Sequence, residues 1–160
     1  SHICEKYPNI IIENCAGGGG RFDLGMLYYS PQIWISDDSD GVERLKIQYG
    51  TSMCYPLSTM SNHVTAVPNH QIDRITPLEL RNNVSTFGVL GYELDLSKLS
   101  EEELNEIKGQ VDEYRERQKL MLSGTFWRLR SPFDGNETAW QVVSSNNEEI
   151  LVGWYRVLAA

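Results

Sequence analysis

The chain has 160 residues, of which 41% are hydrophobic and 10% aromatic, enough for about one domain with a substantial buried core. Its formal net charge is -8. That excludes a nucleic-acid groove and an anionic membrane surface as partners, because both require clustered Lys and Arg.

From the N-terminus, Ile3-Cys4-Glu5-Lys6 begins as though already inside a helix, with no cap before it. Asn9 to Cys15 (NIIIENC) is a run rich in β-branched residues between Pro8 and four glycines. Apolar neighbours without alternation predict a strand buried on both faces, as in a parallel sheet. Gln32 to Ser36 (QIWIS) predicts a second strand, leading directly into Asp37-Asp38-Ser39-Asp40. Asp40 then caps a helix through GVERLKIQYG, with Val42, Leu45 and Tyr49 on one face and Gly50 as its end. Met53 to Leu57 and His63 to Val67 are a third and a fourth strand-like run. This rhythm of strand, loop and helix belongs to α/β proteins with a parallel sheet. Functional groups in such sheets gather at the carboxyl ends of the strands. The glycines after the first strand and the acids after the second therefore belong to one face.

The pattern changes at Leu96. Ser100-Glu101-Glu102-Glu103 is a capping box, and Leu104, Ile107, Val111 and Tyr114 form an apolar stripe, which together predict a helix over 101–121. Beyond Gly124, TFWRLRSPF, TAWQVVSS and EILVGWYRVL are separated by DGNE and NNEE. They read as antiparallel strands joined by turns, with a domain boundary near 122. Both ends of the chain look cut, so a piece of a larger protein is expected. Cys4, Cys15 and Cys54 form no CxxC pair and read as free thiols of a reducing compartment. No apolar run approaches the roughly 18 residues of a membrane span, and no signal peptide is evident; a cytoplasmic location is expected.

Several groups could carry chemistry. The glycine run matches neither a phosphate loop nor a dinucleotide fingerprint, because Arg21-Phe22-Asp23 follows it. It is either a flexible turn or a loop that lets a ligand lie against bare backbone. Cys15 reads as a buried small residue, a ligand wall, or a nucleophile with His63 or His70 as base. His63 and His70 straddle Pro68 at poor spacing for a metal pair and read as core or loop histidines. The acids from Asp37 resemble a calcium loop, but Val42 and Gln48 occupy the positions that need Gly and Glu. They are either a solvated turn with a helix cap or the source of a proton donor. Crowded carboxylates raise one another's pKa, and burial beside Trp34 would add to this. Trp34 is also placed to wall a sugar ring; Trp127, Trp140 and Trp154 read as core.

The stretch ENCAGGGGRFDLGMLYYSPQIWISDDSDGVERLKIQYGTSMCYPLS is followed by HVTAVPNHQ, TPLELR, LGYELDL, SPFDGNETAWQVVS and YRVLA. In this order and spacing it closely resembles, nearly end to end, the bacterial alpha-galactosidases of glycoside hydrolase family 36. The resemblance implies a retaining glycoside hydrolase that releases terminal alpha-linked galactose from raffinose or melibiose. It implies an α/β fold: the C-terminal half of a (β/α)8 TIM barrel over 1–121, then the start of a C-terminal antiparallel β-sandwich domain over 122–160. By position, Asp37 is the general acid/base, and Cys15 and Gly18 line the galactose site. Ala16 and Gly17 replace two serines of the family's loop, Leu24 stands where proline is common, and Asn62 where alanine is more usual. The family's nucleophile, an Asp in a KWD motif on barrel strand four, lies upstream of this chain. No metal or other cofactor is implied. The implied partners are an alpha-galactoside and the remainder of the barrel, with a homo-oligomer left open. Two alternatives keep the resemblance without the catalysis: a carbohydrate-binding module, or a structural half-barrel.

Overall fold

Four parallel strands run side by side in sequence order through the first part of the chain. The structure is a computed structural model and describes residues 2–18 and 20–158, so Gly19 of the glycine run lies outside the described residues. Helix α1 (His2–Lys6) leads to β1 (Glu13–Asn14), α2 (Leu24–Leu27) and β2 (Gln32–Trp34). Helix α3 (Glu43–Thr51), β3 (Met60–Thr65), α4 (Leu78–Ser85) and β4 (Val89–Glu93) complete this sheet. In register, Glu13 faces Gln32, Ile33 faces Met60, and Ser61 faces Val89. Every crossover steps to the next strand in the same direction, without the reversal that splits a doubly wound sheet. The carboxyl ends of all four strands therefore open on a common mouth, as in a barrel.

Three expectations fail here for identifiable reasons. The first strand is only two residues long, and Ile11 is 79% exposed. NIII precedes this strand, and β1 has β2 as its one strand neighbour among the described residues, so Ile10 and Ile11 meet no further strand here. Met53 to Leu57 is not a strand: Met53 and Cys54 donate their N–H groups to the carbonyls of Gly50 and Thr51, prolonging the helix end as a turn. Pro56, which has no N–H for a ladder, then leads into a 3-10 turn at Leu57–Thr59. Gly50 does not stop α3, which runs on to Thr51 and ends where the Ser52 hydroxyl donates to the carbonyl of Tyr49 at 2.6 Å. Element α4 and strand β4 escaped the sequence pattern altogether. The buried face of α4 mixes Leu78 and Val84 with Arg81, Asn82 and Ser85, so its hydropathy hides the helical period.

Helix α5 (Glu101–Ser123) starts on the expected capping box: Ser100 Oγ accepts from the Glu103 N–H at 3.2 Å, and Glu103 Oε2 accepts from the Ser100 N–H at 2.9 Å. A second, antiparallel sheet follows, β5 (Thr125–Arg130), β6 (Glu137–Val143) and β7 (Ile150–Arg156), with β6 in the middle. Trp140 on β6 is fully buried, whereas Trp127 and Trp154 are exposed. These two lie on the sheet face opposite Trp140 because strand side chains alternate; with Leu129 and Val152 they make that face apolar, so Trp140 is the one of the three in the core that the described residues themselves form. One hydrophobic cluster joins both sheets, from Ile33, Met60 and Phe87 through Tyr114 and Met121 of α5 to Trp140 and Tyr155. Gly153 makes room for it: a Cβ there would lie 2.7 Å from Trp140 Nε1 and 2.9 Å from Phe87 Cε2. The sheets change at Gly124, but the core does not.

Candidate active site

The mouth of the parallel sheet holds a cavity of about 380 Å³, within the usual range for small-ligand sites. Trp34 and Asp37 reach it from the end of β2, Thr65 from the end of β3 and Glu93 from the end of β4, with His70 and Ser39 on loops.

The acidic loop sorts its three aspartates by hydrogen bonding. Asp40 is buried and caps α3, accepting from the Val42 and Glu43 N–H groups at 3.0 Å each and pairing with Arg74. This satisfies donors that a helix start leaves open. Asp38 Oδ1 accepts from the Asp40 N–H at 3.1 Å, and Ser36 Oγ accepts from the Asp38 N–H at 3.1 Å, closing two tight local turns. Ser39 is tied across the loop: its carbonyl accepts from the Thr65 hydroxyl at 3.0 Å, and its hydroxyl from Asn69 Nδ2 at 3.1 Å. Asp37 is left as the exposed acid on the cavity wall.

The glycine loop presses on the peptide of that acid. Gly17 and Gly18 adopt φ of +60° and +64°, a region that costs residues with a Cβ about 1–2 kcal/mol. A Cβ on Gly18 would lie 2.2 Å from Asp37 N and 2.7 Å from the Cα and carbonyl carbon of Ser36. What comes so close to this bare backbone is therefore the chain's own Ser36–Asp37 peptide. The loop is pinned elsewhere by Asn14 Nδ2, which donates to the Arg21 carbonyl at 3.1 Å, and by Asp23, which caps α2 through the Met26 N–H at 2.9 Å.

Two groups that sequence reasoning missed support the site. Arg44 is 1% exposed beneath the acidic loop. Its guanidinium donates to the carbonyls of Ser36 at 3.1 Å, Asp38 at 3.4 Å and Ser61 at 3.2 Å, and to Asn62 Oδ1 at 3.0 Å. Burial pushes its pKa down to about 10, partly countered by the charges of Asp38 and Glu93. Nothing in the helical period marks this arginine, since an arginine in the first turn of a helix is normally solvated. Glu93, the last residue of β4, is the other carboxylate of the cavity, and its Oε2 lies 3.4 Å from Nδ1 of His63. The tertiary pairing of β3 with β4 brings them together; no local motif does.

Asp37 and Trp34 thus share one cavity, and Gly18 packs against the Asp37 peptide. Trp34 is 8% exposed, with the His63 ring stacked on it at 4.3 Å and the Arg44 guanidinium 4.4 Å from its ring centre. Cys15 is exposed at the end of β1 and borders a neighbouring concavity with Cys4, Met26 and Tyr29. His63 is a packed strand histidine between Glu13 and Glu93, and His70 lines the Asp37 cavity. Asn62, the unusual residue of its motif, is fully buried and donates to the Phe87 carbonyl at 2.8 Å while accepting from Arg44.

Four consecutive parallel strands with an open acid at their carboxyl ends, followed by an antiparallel sheet, define half of a (β/α)8 barrel domain with the start of a β-sandwich behind it. Residues 1–124 match the melibiase family. The chain is 55% identical over 157 residues to alpha-galactosidase AgaA of Geobacillus stearothermophilus, covering 98% of this chain and 22% of that protein. It is 50% identical over 157 residues to alpha-galactosidase Mel36A of Lactobacillus acidophilus, covering 98% of this chain and 21% of that protein. The crystal structure of AgaA superposes with a TM-score of 0.97 at 54% identity, over 99% of this chain and 22% of that one. The chain belongs to the melibiase family, glycoside hydrolase family 36. It spans about a fifth of the length of the curated relatives it matches. Among the described residues, no helix is long and apolar enough to cross a membrane.

Proposed function

We propose that this chain supplies the acid/base half of the active site of a retaining alpha-galactosidase and works as one part of a complete barrel. The observation that carries this reading is the free carboxyl of Asp37 at the barrel mouth, beside two aspartates committed to holding the loop. The relatives support it: they are alpha-galactosidases, and substituted forms of AgaA form complexes with raffinose and with stachyose.

Retaining hydrolysis uses two carboxyl groups about 5–5.5 Å apart across the scissile bond. Asp37 donates its proton to the glycosidic oxygen as the nucleophile, carried by the other half of the barrel, attacks the anomeric carbon and the carbon–oxygen bond breaks. Asp37, now a carboxylate, takes a proton from water, which attacks the same carbon, breaks its bond to the nucleophile's carboxylate and releases galactose with its configuration retained. Trp34 gives the cavity an apolar edge, Gly18 seats the Asp37 peptide behind the galactose, and Cys15 reaches the galactose from the neighbouring concavity at the end of β1. Residues 1–121 are the barrel portion and 122–160 the beginning of the β domain. Three free thiols suit a reducing cytoplasm.

In the full-length protein that carries this chain, Asp37→Asn is expected to cut raffinose hydrolysis by about 10²–10⁴-fold, the usual worth of a general acid, with an unchanged circular-dichroism spectrum. Near-normal turnover would reject the assignment. The chain alone is expected to release no galactose until the other half of the barrel is added. Galactose binding without turnover in the completed barrel would instead mark a binding module.

A further inference from the structure

Arg44 stands in the first turn of α3, yet its side chain runs back under the acidic loop and not into solvent. Its two terminal nitrogens divide the work. Nη1 donates to the carbonyls of Ser36 at 3.1 Å and Asp38 at 3.4 Å, the residues on either side of Asp37. Nη2 donates to the Ser61 carbonyl at 3.2 Å and Asn62 Oδ1 at 3.0 Å, on β3. Asn62 in turn donates to the Phe87 carbonyl at 2.8 Å, just ahead of β4. The loop that carries the acid is thus fastened to the next two strands through one guanidinium.

Stability alone is a poor reason for such a residue. A charge this deeply buried loses its hydration, and all four acceptors, three backbone carbonyls and the Asn62 amide oxygen, are neutral and return little of it. What the guanidinium supplies instead is geometry, because its donors project from a rigid plane at fixed angles. The second constraint on the same peptide is Gly18, which meets Asp37 N and the Ser36 carbonyl carbon. Held by a fork through its flanking carbonyls and by a glycine at its amide, the Asp37 backbone has little room to rotate.

We infer that Arg44 is a positioning residue for Asp37, fixing the peptide on both sides of the acid so that its carboxyl meets the departing glycosidic oxygen. This rests on the reading of Asp37 as the general acid. A carboxyl displaced by about 1 Å can cost around 10²-fold in rate, and the cost should fall on the step that needs its proton.

The test compares two substrates in the full-length protein. The alcohol that leaves from raffinose needs a proton, whereas nitrophenolate leaves without one. The ratio of kcat/KM for nitrophenyl alpha-galactoside to kcat/KM for raffinose therefore reports on the acid. Because both are measured on one preparation, the ratio is independent of the fraction that has folded. Arg44→Lys and Arg44→Met are each expected to raise this ratio by about ten-fold or more, with Lys the milder of the two. A ratio within about two-fold of the unsubstituted protein, however far both activities fall, overturns the positioning role and leaves Arg44 a structural residue. Asp37→Asn separates the two layers of the argument. If it raises the ratio and the Arg44 variants do not, only the inference about Arg44 falls. If Asp37→Asn itself leaves the ratio unchanged, the acid assignment falls and the inference goes with it.

Discussion

Consider Gly18→Ala in the full-length protein, with Gly17→Ala beside it as a control. Both glycines have positive φ, +60° at Gly17 and +64° at Gly18, so alanine pays a similar backbone strain of about 1–2 kcal/mol at either. Their surroundings differ. A Cβ at Gly17 meets nothing within 4 Å, whereas at Gly18 it meets Asp37 N at 2.2 Å. Ordinary contact begins near 3.4 Å, so the Asp37 peptide must withdraw by about 1.2 Å. Displacement on that scale costs a reacting group around 10²-fold. Gly18→Ala should therefore lower kcat/KM for raffinose by about 10²-fold, and Gly17→Ala by less than about five-fold once corrected for folded protein. The measurement is a raffinose hydrolysis assay on both variants, with thermal unfolding to compare their stabilities. Equal activities for the two variants would refute the argument that the glycine exists to admit the acid's own peptide.

Trp140→Ala empties a fully buried site in the cluster that joins the two sheets, and should destabilise by about 3–5 kcal/mol; hydrogen exchange should quicken at β3 and β4 as well as at β5 to β7, and a change confined to the antiparallel sheet would deny a common core. Ser100→Ala removes half of the capping box of α5 and should cost about 1 kcal/mol in thermal unfolding. Glu137 is held below its usual pKa of 4.5, first by its hydrogen bond from Arg156 and also by Arg130. Its contribution to stability is therefore present above pH 4.5 and is lost as pH falls through the lower folded-state value; Glu137→Gln should flatten that part of an acid unfolding profile, modestly because the pair is exposed.

The long helix, the three antiparallel strands and the parallel α/β rhythm were legible because each rests on local signals. The capping box at Ser100, the turns between strands and the β-branched runs need no distant partner to be read. The motif order around Asp37 was equally legible and pointed to the family that the comparisons bear out. The hidden elements were those whose buried face is polar. Helix α4 buries Arg81 and Asn82, so hydropathy alone carries no period there, and the run His63 to Val67 marked only the end of β3 because Ser61 and Asn62 are buried polar residues after Met60.

The sequence by itself determined which residues are chemically able to act: an aspartate after the second strand, glycines after the first, and helices and strands in barrel order. The resemblance singled out Asp37, but only the tertiary structure decided how Asp38 and Asp40 are tied up around its open carboxyl, that the glycine yields to a peptide of its own chain, and that a buried arginine fastens this loop. The reason is that local signals fix backbone conformation over a few residues, whereas burial, hydrogen-bond partners and close approach are set by segments that meet only when the parallel strands align.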